Sequence, residues 1–153
     1  MKNLKESQII DVLRNGFNIR HIKNPSEEVQ LAAVKKIGYA IRFIENPSEK
    51  VKLAAVKRNG GSIKYIKNPS EEIKLAAVKN DGFSIRLIKN PSDDMLLEAV
   101  KNNIYAVQFI KNPSEDLQII AVKKAGDAIR FIENPSEKVK IIAKESLRNN
   151  LEN

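Results

Sequence analysis

The chain has 153 residues and a formal net charge of +8, and its 42% hydrophobic content suits one domain with a sizeable core. It contains no cysteine, which excludes disulfides, thiolate metal sites and cysteine nucleophiles and fits a reducing compartment. No apolar run approaches the ~20 residues that span a bilayer, and the start MKNLKESQII is too polar for a secretory signal, so we expect a cytoplasmic protein without membrane contact.

The run Asn-Pro-Ser recurs six times, first at residue 24 and last at residue 134, always 22 residues apart. A fixed period of this length indicates one small unit that is copied along the chain and stacks on its neighbours. We number the positions of each copy 1–22 from its Asn. The period predicts an all-α fold, a right-handed α-solenoid of seven two-helix repeats in a single domain covering residues 1–153.

The two ends of the array are expected to be capping units. Residues 1–23 lack Asn-Pro-Ser, but Gly16 falls one period before Gly38. Five complete copies occupy residues 24–133, and a C-terminal capping helix is expected in residues 134–153. Both ends place polar residues at positions that are apolar in the complete copies, which is typical of capping repeats.

The first complete copy predicts a helix that begins at its Asn-Pro pair. Asn24 suits an N-cap, and Pro25 then takes the first helical position, where its missing N–H costs nothing. Glu27, acidic in every copy, is expected to close a capping box or to favour the helix dipole. The helix should run to near Lys36, with apolar residues around most of its circumference.

A glycine follows this helix in most copies and is expected to be its C-terminal cap, as Gly38 is in the first complete copy. A second, shorter helix should then cover Tyr39–Ile44, with Ile41 and Ile44 as its inward anchors. Each copy is therefore predicted to be a helical hairpin, and neither helix is long enough to be stable alone.

The copy at residues 90–111 departs from this pattern, because Ile104 replaces the glycine and Leu96 replaces a polar residue. Without the glycine, we expect the helix to stop at Asn103 in left-handed geometry. Leu96 and Met95 predict a local apolar contact or a self-association patch, of which we expect the local contact.

The run LAAVKKIG of residues 31–38 returns as LAAVKNDG at residues 75–82. It resembles an uncharacterised family of short α-helical repeats built around an A-V-K-x-N-G core, and more distantly the HEAT-like and leucine-rich-variant α-solenoids. This resemblance implies the solenoid fold over nearly the whole chain. It implies no activity and no functional residue.

Catalytic chemistry has little support in the sequence. His21 is the only histidine, and it stands where other copies carry mostly aromatic residues, which predicts a semi-buried packing position. Gly60-Gly61 lacks the Lys-Ser/Thr pair that follows the glycines of a phosphate-binding loop. We therefore expect no enzyme activity, no metal and no cofactor.

Basic residues recur at positions 12 and 19 and predict two rows of positive charge. The net charge is also uneven, since residues 2–67 carry 14 Lys/Arg and 6 Asp/Glu, whereas residues 68–153 carry 13 of each. Either the rows bind a polyanion, or they are a solvated surface favoured by the helix dipole and copied with the repeat. The residues concerned are Lys35, Arg42, Lys57, Lys64, Lys79 and Arg86.

Positions 13, 14 and 16 differ between copies and share the edge near the turn between the two helices. Solenoids commonly bind extended partners through such a variable edge, although aromatics at a turn also serve to cover the ends of neighbouring helices. The candidate partner-binding residues at this edge are Phe17, Tyr39, Arg58, Phe83 and Tyr105.

The sequence thus predicts a non-catalytic binding module that recognises another protein through its variable edge or concave face. The alternative is binding of DNA or RNA through the basic N-terminal half. A third hypothesis is an inhibitor of a host or defence enzyme. The sequence does not indicate the oligomeric state.

Overall fold

The computed structural model describes residues 3–149, which contain no β-strand. Each complete copy forms an α-helix of 10 residues, which is followed by a 3₁₀-helix of 6 residues. The α-helices are α1 Leu4–Arg14, α2 Glu27–Lys36, α3 Glu49–Arg58, α4 Glu71–Asn80, α5 Asp93–Asn102, α6 Glu115–Lys124 and α7 Glu137–Asn149. The 3₁₀-helices are η1 Gly16–His21, η2 Gly38–Phe43, η3 Gly60–Tyr65, η4 Gly82–Leu87, η5 Ile104–Phe109 and η6 Gly126–Phe131.

The chain divides into two compact units, one ending at Asn80 and the other beginning at Asp81. In the first unit, α1 packs on α2, α2 on α3 and α3 on α4. In the second unit, α5 packs on α6 and α6 on α7. The predicted all-α class is confirmed over the described residues, and the α-helices of each unit contact their neighbours in sequence.

The same positions of each copy form the core. In α2, Val29, Ala33 and Val34 are fully buried, and their spacing places them on one face of the helix. Their counterparts are also buried: Val51, Ala55 and Val56 in α3, Ile73, Ala77 and Val78 in α4, Met95, Ala99 and Val100 in α5, and Leu117, Ala121 and Val122 in α6.

The short helices contribute the predicted anchors, since Ile41 is 2% exposed and Ile44 is 7% exposed. The expectation that apolar packing surrounds most of α2 is less accurate. Leu31 and Ala32 are only partly buried, so one side of the helix stays near solvent.

The α-helices begin two residues later than predicted. Ser26 is the N-cap of α2, and its Oγ accepts a hydrogen bond from the backbone N–H of Val29 at 3.4 Å. Asn24 is therefore not the N-cap, and Pro25 lies before the helix and not at its first position. Serine caps a helix as well as asparagine does, and capping by Ser26 leaves the preceding Asn free for the turn. Glu27 becomes the first helical residue and does not form a capping box.

The serine hydroxyl also links neighbouring copies, because a hydroxyl can accept one hydrogen bond and donate another. Ser48 Oγ accepts from its own helix and donates to the Glu27 carboxylate of the preceding copy at 2.5 Å. Ser70 donates in the same way to Glu49 at 3.2 Å. In the second unit, Ser136 donates to Glu115 at 2.5 Å. The acidic residue at position 4 thus joins two copies.

The asparagine of each Asn-Pro-Ser run has left-handed backbone geometry, with φ between 47° and 51°. A residue before proline normally favours extended geometry, which is the basis of the N-cap prediction. The chain must turn here from one short helix into the next α-helix within a few residues. Asparagine tolerates the left-handed region better than other residues that carry a side chain.

The glycine is not a C-terminal cap. The helix α2 ends at Lys36, Ile37 is extended, and Gly38 opens η2 with a φ that is not positive. The predicted second α-helix is a 3₁₀-helix, Gly38–Phe43. Glycine is required because the backbone lies against the α-helix of the next copy: a Cβ on Gly16 would lie 2.5 Å from the carbonyl oxygen of Ala33.

The copy without this glycine differs locally. Asn103 is extended, with φ at −142°, so the predicted left-handed stop is wrong. Its side chain instead accepts a hydrogen bond from the N–H of Tyr105 at 3.1 Å and caps η5. Met95 is buried and Leu96 packs against the buried cluster of the second unit, as expected for a local apolar contact.

Replacing Asn46 separates the left-handed turn from the side-chain chemistry of asparagine. We expect Asn46→Ala to lower the free energy of unfolding by about 1 kcal/mol, because alanine is strained at this φ, and Asn46→Gly to cost less. Denaturant unfolding of both variants measures the difference. Equal losses for alanine and glycine would contradict the role assigned to this backbone conformation.

Two glycines provide a matched test of the contact between copies. In Gly38→Ala, the added Cβ meets the carbonyl oxygen of Ala55, a backbone atom, and we expect a loss of about 1–3 kcal/mol. In Gly61→Ala, the Cβ meets the Tyr39 hydroxyl at 2.6 Å, the tip of a side chain that can move. The second loss should be smaller and should be relieved by adding Tyr39→Phe, as thermal unfolding would show. A smaller loss in Gly38→Ala than in Gly61→Ala would overturn the account of Gly38.

Candidate binding surface

The aromatic residues predicted at the variable edge pack in pairs between neighbouring copies. Phe17, at position 16, meets Phe43, at position 20 of the next copy, edge to face with ring centroids 6.0 Å apart. Tyr39 meets Tyr65 in the same way at 6.4 Å. In the second unit, the pairs are Phe83 with Phe109 at 5.6 Å and Tyr105 with Phe131 at 5.9 Å. These rings therefore hold adjacent copies together, whatever else they contact.

Each aromatic pair of the first unit carries a cation. The Arg42 guanidinium lies 4.5 Å from one ring centroid and 5.3 Å from the other. The Lys64 ammonium lies 4.8 Å and 5.8 Å from the centroids of its pair. Both cations are exposed, and such contacts restrain a side chain that would otherwise be free to rotate. We call these two groups the cation–aromatic clusters: Phe17, Phe43 and Arg42, and Tyr39, Tyr65 and Lys64.

The corresponding cations of the second unit contact fewer rings. Arg86 lies over Phe109 alone, at 5.6 Å, and Arg130 lies over Phe131 alone, at 4.7 Å. Arg130 is also within 3.7 Å of the Asp127 carboxylate, to which the Tyr105 hydroxyl donates at 3.2 Å. A carboxylate therefore partly neutralises the second unit at this position.

The positive charge of the first unit acts on Tyr65. The Lys64 ammonium, and after it the Arg42 guanidinium, hydrogen-bond the phenol oxygen and hold the pKa of Tyr65 below its ordinary value of 10.0. Within residues 3–149, neither Arg42 nor Lys64 is paired with a carboxylate. These two cations are thus available to an anionic partner.

A groove of about 600 Å³ lies beside these clusters, between two adjacent copies of the first unit. Tyr65 forms part of its wall, and the cations Arg42, Lys52 and Lys67 and the single acid Glu45 line it. We call it the cationic groove. Lys52 is already paired with Glu49 at 2.7 Å, whereas Arg42 and Lys67 have no carboxylate partner among the described residues.

The second unit has a groove at the equivalent positions with different charges and a volume of about 390 Å³. We call it the neutral groove, because it is lined by one cation, Lys111, and one acid, Glu133. Four positions of the repeat differ in charge between the two grooves: Gln108 corresponds to Arg42, Lys111 to Glu45, Gln118 to Lys52 and Glu133 to Lys67. The two grooves share a position in the repeat and differ in net charge.

The predicted row at position 12 lies on another part of the copy. Lys35, Lys57 and Lys79 are exposed in the last turns of their α-helices. Lys35 lines a shallow groove of about 450 Å³ with apolar residues that include Leu31 and Leu13, and it does not line the cationic groove. Lys35 and Arg42, which belong to the two different basic rows, therefore border different grooves within the first unit.

The variable position 13 serves the contact between copies. Arg58 Nε donates to the backbone carbonyl of Lys36 at 3.2 Å, at the end of the preceding α-helix. Asn80 does the same to the carbonyl of Lys57 at 2.9 Å, and its Oδ1 accepts from the N–H of Gly60 at 2.6 Å. Satisfying the last carbonyls of a helix accounts for these side chains without any partner.

His21 is exposed, and its Nε2 accepts a hydrogen bond from Arg20 Nε at 2.8 Å. The predicted semi-buried packing position is therefore wrong here: position 20 packs against position 16 of the preceding copy elsewhere, and His21 lies in the first copy of the array. Among residues 3–149, no three His, Cys, Asp or Glu side chains lie together in a way that could hold a metal ion. None of the helices in residues 3–149 is long and apolar enough to cross a membrane.

Sequence reasoning did not identify Tyr65, Lys52 and Lys67 as residues that line the cationic groove. A signal exists at positions 7 and 22, where the charge changes sign or disappears from copy to copy, as in Glu45 against Lys67. The packing of position 20 against position 16 of the preceding copy has no comparable signal, since the residues are 26 apart in the chain.

Comparisons of the chain with known protein families, with curated proteins and with solved structures find no match.

The lowered pKa of Tyr65 gives a direct test of the surface charge. Lys64→Gln should raise this pKa toward its ordinary value, because the largest cause of the shift is removed. Lys50→Gln, an exposed lysine of the same unit away from the clusters, should leave it unchanged. Ultraviolet titration of tyrosinate measures the pKa, with Tyr65→Phe to assign the transition.

The sign of the effect on stability follows from the direction of the shift. The contribution of the Tyr65 shift to stability is complete above the ordinary tyrosine pKa and is lost as the pH falls through the lowered value. An identical Tyr65 pKa in the parent protein and Lys64→Gln would contradict the arrangement of these cations.

Proposed function

We propose that the protein is a right-handed α-solenoid of seven 22-residue repeats and a non-catalytic module that binds another protein. The constant period, the buried positions common to the five complete copies and the resemblance to short α-helical repeats support the architecture. The cysteine-free composition supports a cytoplasmic location as part of the same proposal. We assign no enzyme activity, since one exposed histidine and no cysteine offer little for acid–base or nucleophilic chemistry.

The observation that carries the binding proposal is the pair of adjacent cation–aromatic clusters in the first unit. Arg42 lies in η2 and Lys64 lies in η3 of the next copy. Because η2 and η3 are in contact, the two clusters are next to each other. Aromatic and arginine side chains are enriched at protein interfaces and among the residues that dominate binding energy. A cation already held over two rings loses less conformational entropy when it binds.

The clusters favour a protein partner over a single-stranded nucleic acid. Bases stack on aromatic side chains with open faces. Here the rings of Tyr39 and Tyr65 already contact each other edge to face, and Lys64 lies over both. Nucleic acid remains the second candidate, because the excess of basic residues at 2–67 would attract phosphates as well as carboxylates.

Site-specific photo-crosslinking in an extract of the source organism tests this proposal. A photoreactive amino acid at position 64 should capture a protein, and the adduct should survive nuclease treatment. The same group at position 50, also an exposed lysine of the first unit, should not capture that protein. Nuclease-sensitive adducts at position 64 would favour the second candidate. Identical adducts at both positions, or none, would reject a specific protein-binding surface there.

A further inference from the structure

We propose that the cationic groove of the first unit binds an extended, carboxylate-rich segment of the partner protein. This inference rests on the proposed function and adds the chemistry of the partner. The occupant is a peptide whose Asp or Glu side chains face Arg42 and Lys67 across the groove between two copies.

The charges of the groove support an acidic occupant. Three cations and one acid line it, and after the pair between Lys52 and Glu49 is set aside, Arg42 and Lys67 still outnumber Glu45. Lys64 adds a further unpaired cation at the adjacent wall, beside Tyr65. Charges gathered in a groove are less screened by salt than charges on a flat surface, so they attract an acidic segment more strongly.

The groove also has an apolar component that a free phosphate would not use. Ile44 and Ile66 line it and are each 7% exposed, and Pro47 lies beside them. A peptide can place apolar side chains or backbone against this lining while its carboxylates reach the cations. Arginine binds a planar carboxylate through two parallel N–H donors, and Arg42 is held in place by its two rings.

The neutral groove shows that the repeat does not require these charges. It occupies the same positions of a copy in the second unit, yet it carries Gln108 and Glu133 where the cationic groove carries Arg42 and Lys67. Residues that only maintained the packing of each copy would be needed equally in both. The charge difference is therefore specific to the groove of the first unit, and the neutral groove provides an internal control.

Binding to a fluorescent oligo-glutamate peptide tests the proposal, with oligo-glutamine and single-stranded oligo-deoxythymidine as comparison probes. Lys67→Glu should weaken oligo-glutamate binding severalfold, and Arg42→Gln with Lys67→Glu should weaken it about tenfold. Lys111→Glu changes the net charge by the same amount in the neutral groove and should leave the affinity nearly unchanged. Lys67 is exposed and forms no ion pair among the described residues, so this variant should fold normally.

A gain of function completes the test. Gln108→Arg with Glu133→Lys gives the neutral groove the two cations that Arg42 and Lys67 supply to the cationic groove, so that three cations and no acid line it, and calorimetry should then show a second site for oligo-glutamate. Raising the salt from about 50 mM to about 200 mM should weaken binding to the parent protein, since the interaction is between opposite charges.

The remaining outcomes are distinguishable. Equal weakening by Lys67→Glu and Lys111→Glu would overturn the groove assignment and leave only nonspecific attraction. Tighter binding of oligo-deoxythymidine, with the same dependence on Lys67, would overturn the peptide occupant. Absence of oligo-glutamate binding, together with a nuclease-resistant protein adduct at position 64, would reject the acidic segment while the proposed protein-binding function stands. Absence of both would reject both.

Discussion

The contact on which the rest of the structure depends is the close approach of each short helix to the α-helix of the next copy. In every short helix except η5, which begins at Ile104, it is made at the opening glycine; a Cβ on Gly16, for example, would lie 2.5 Å from the carbonyl oxygen of Ala33. Because the backbones meet here, the side chain that follows the glycine is carried to the boundary between copies. Phe17 and Tyr39 reach the rings of Phe43 and Tyr65 for this reason.

Several polar groups reinforce the same boundary. The N–H of Gly38 donates to Asn59 Oδ1 of the next copy at 2.8 Å, and Ser48 donates to Glu27 of the preceding copy. Each copy alone is too short to bury a core, so the fold is stable only through these contacts between neighbours. A groove between two copies is a direct consequence, and it is lined by buried anchors such as Ile41 and Ile44 and by charged residues such as Arg42 and Lys67.

Much of the fold could be predicted from the period and the apolar pattern. The end of α2 at Lys36 and the buried anchors Ile41 and Ile44 follow from local rules of helix formation. The start of the helix could not be predicted in this way. Asn24 and Ser26 are both good caps, and the choice is settled by a turn that needs left-handed geometry at Asn24. In the next copy the serine hydroxyl has a second role that local rules do not reveal, since Ser48 also donates to Glu27 one copy away.

The candidate site could be predicted only in part. Arg42, Lys64, Phe17 and Tyr39 stand out in the sequence as members of separate basic and aromatic rows. That a cation lies over rings of two different copies depends on how the copies stack, which no single copy reveals. Arg58 shows the opposite case. Its position varies between copies, which suggested contact with a partner, but its Nε donates a hydrogen bond to the carbonyl of Lys36.

The copies thus combine a shared framework with local differences in charge. Ser, Asn and the buried apolar residues recur in every complete copy, and Gly in all but the copy at residues 90–111, because the boundaries between copies need them. The positions at the groove vary more freely: Lys67 in the first unit corresponds to Glu133 in the second. We infer that binding specificity arises from this variation, with the framework serving to hold the variable side chains in fixed positions.

The central claim is that an acidic peptide binds in the cationic groove of the first unit, of which Tyr65 forms part of the wall. Nuclear magnetic resonance of the tyrosine rings tests it most directly, since the chain has three tyrosines. Tyr39 and Tyr65 belong to the clusters, and Tyr105 lies in the second unit as an internal reference. Addition of an oligo-glutamate peptide should shift the ring resonances of Tyr39 and Tyr65 and leave those of Tyr105 in place. Equal shifts at all three rings, or a shift at Tyr105 alone, would contradict the claim.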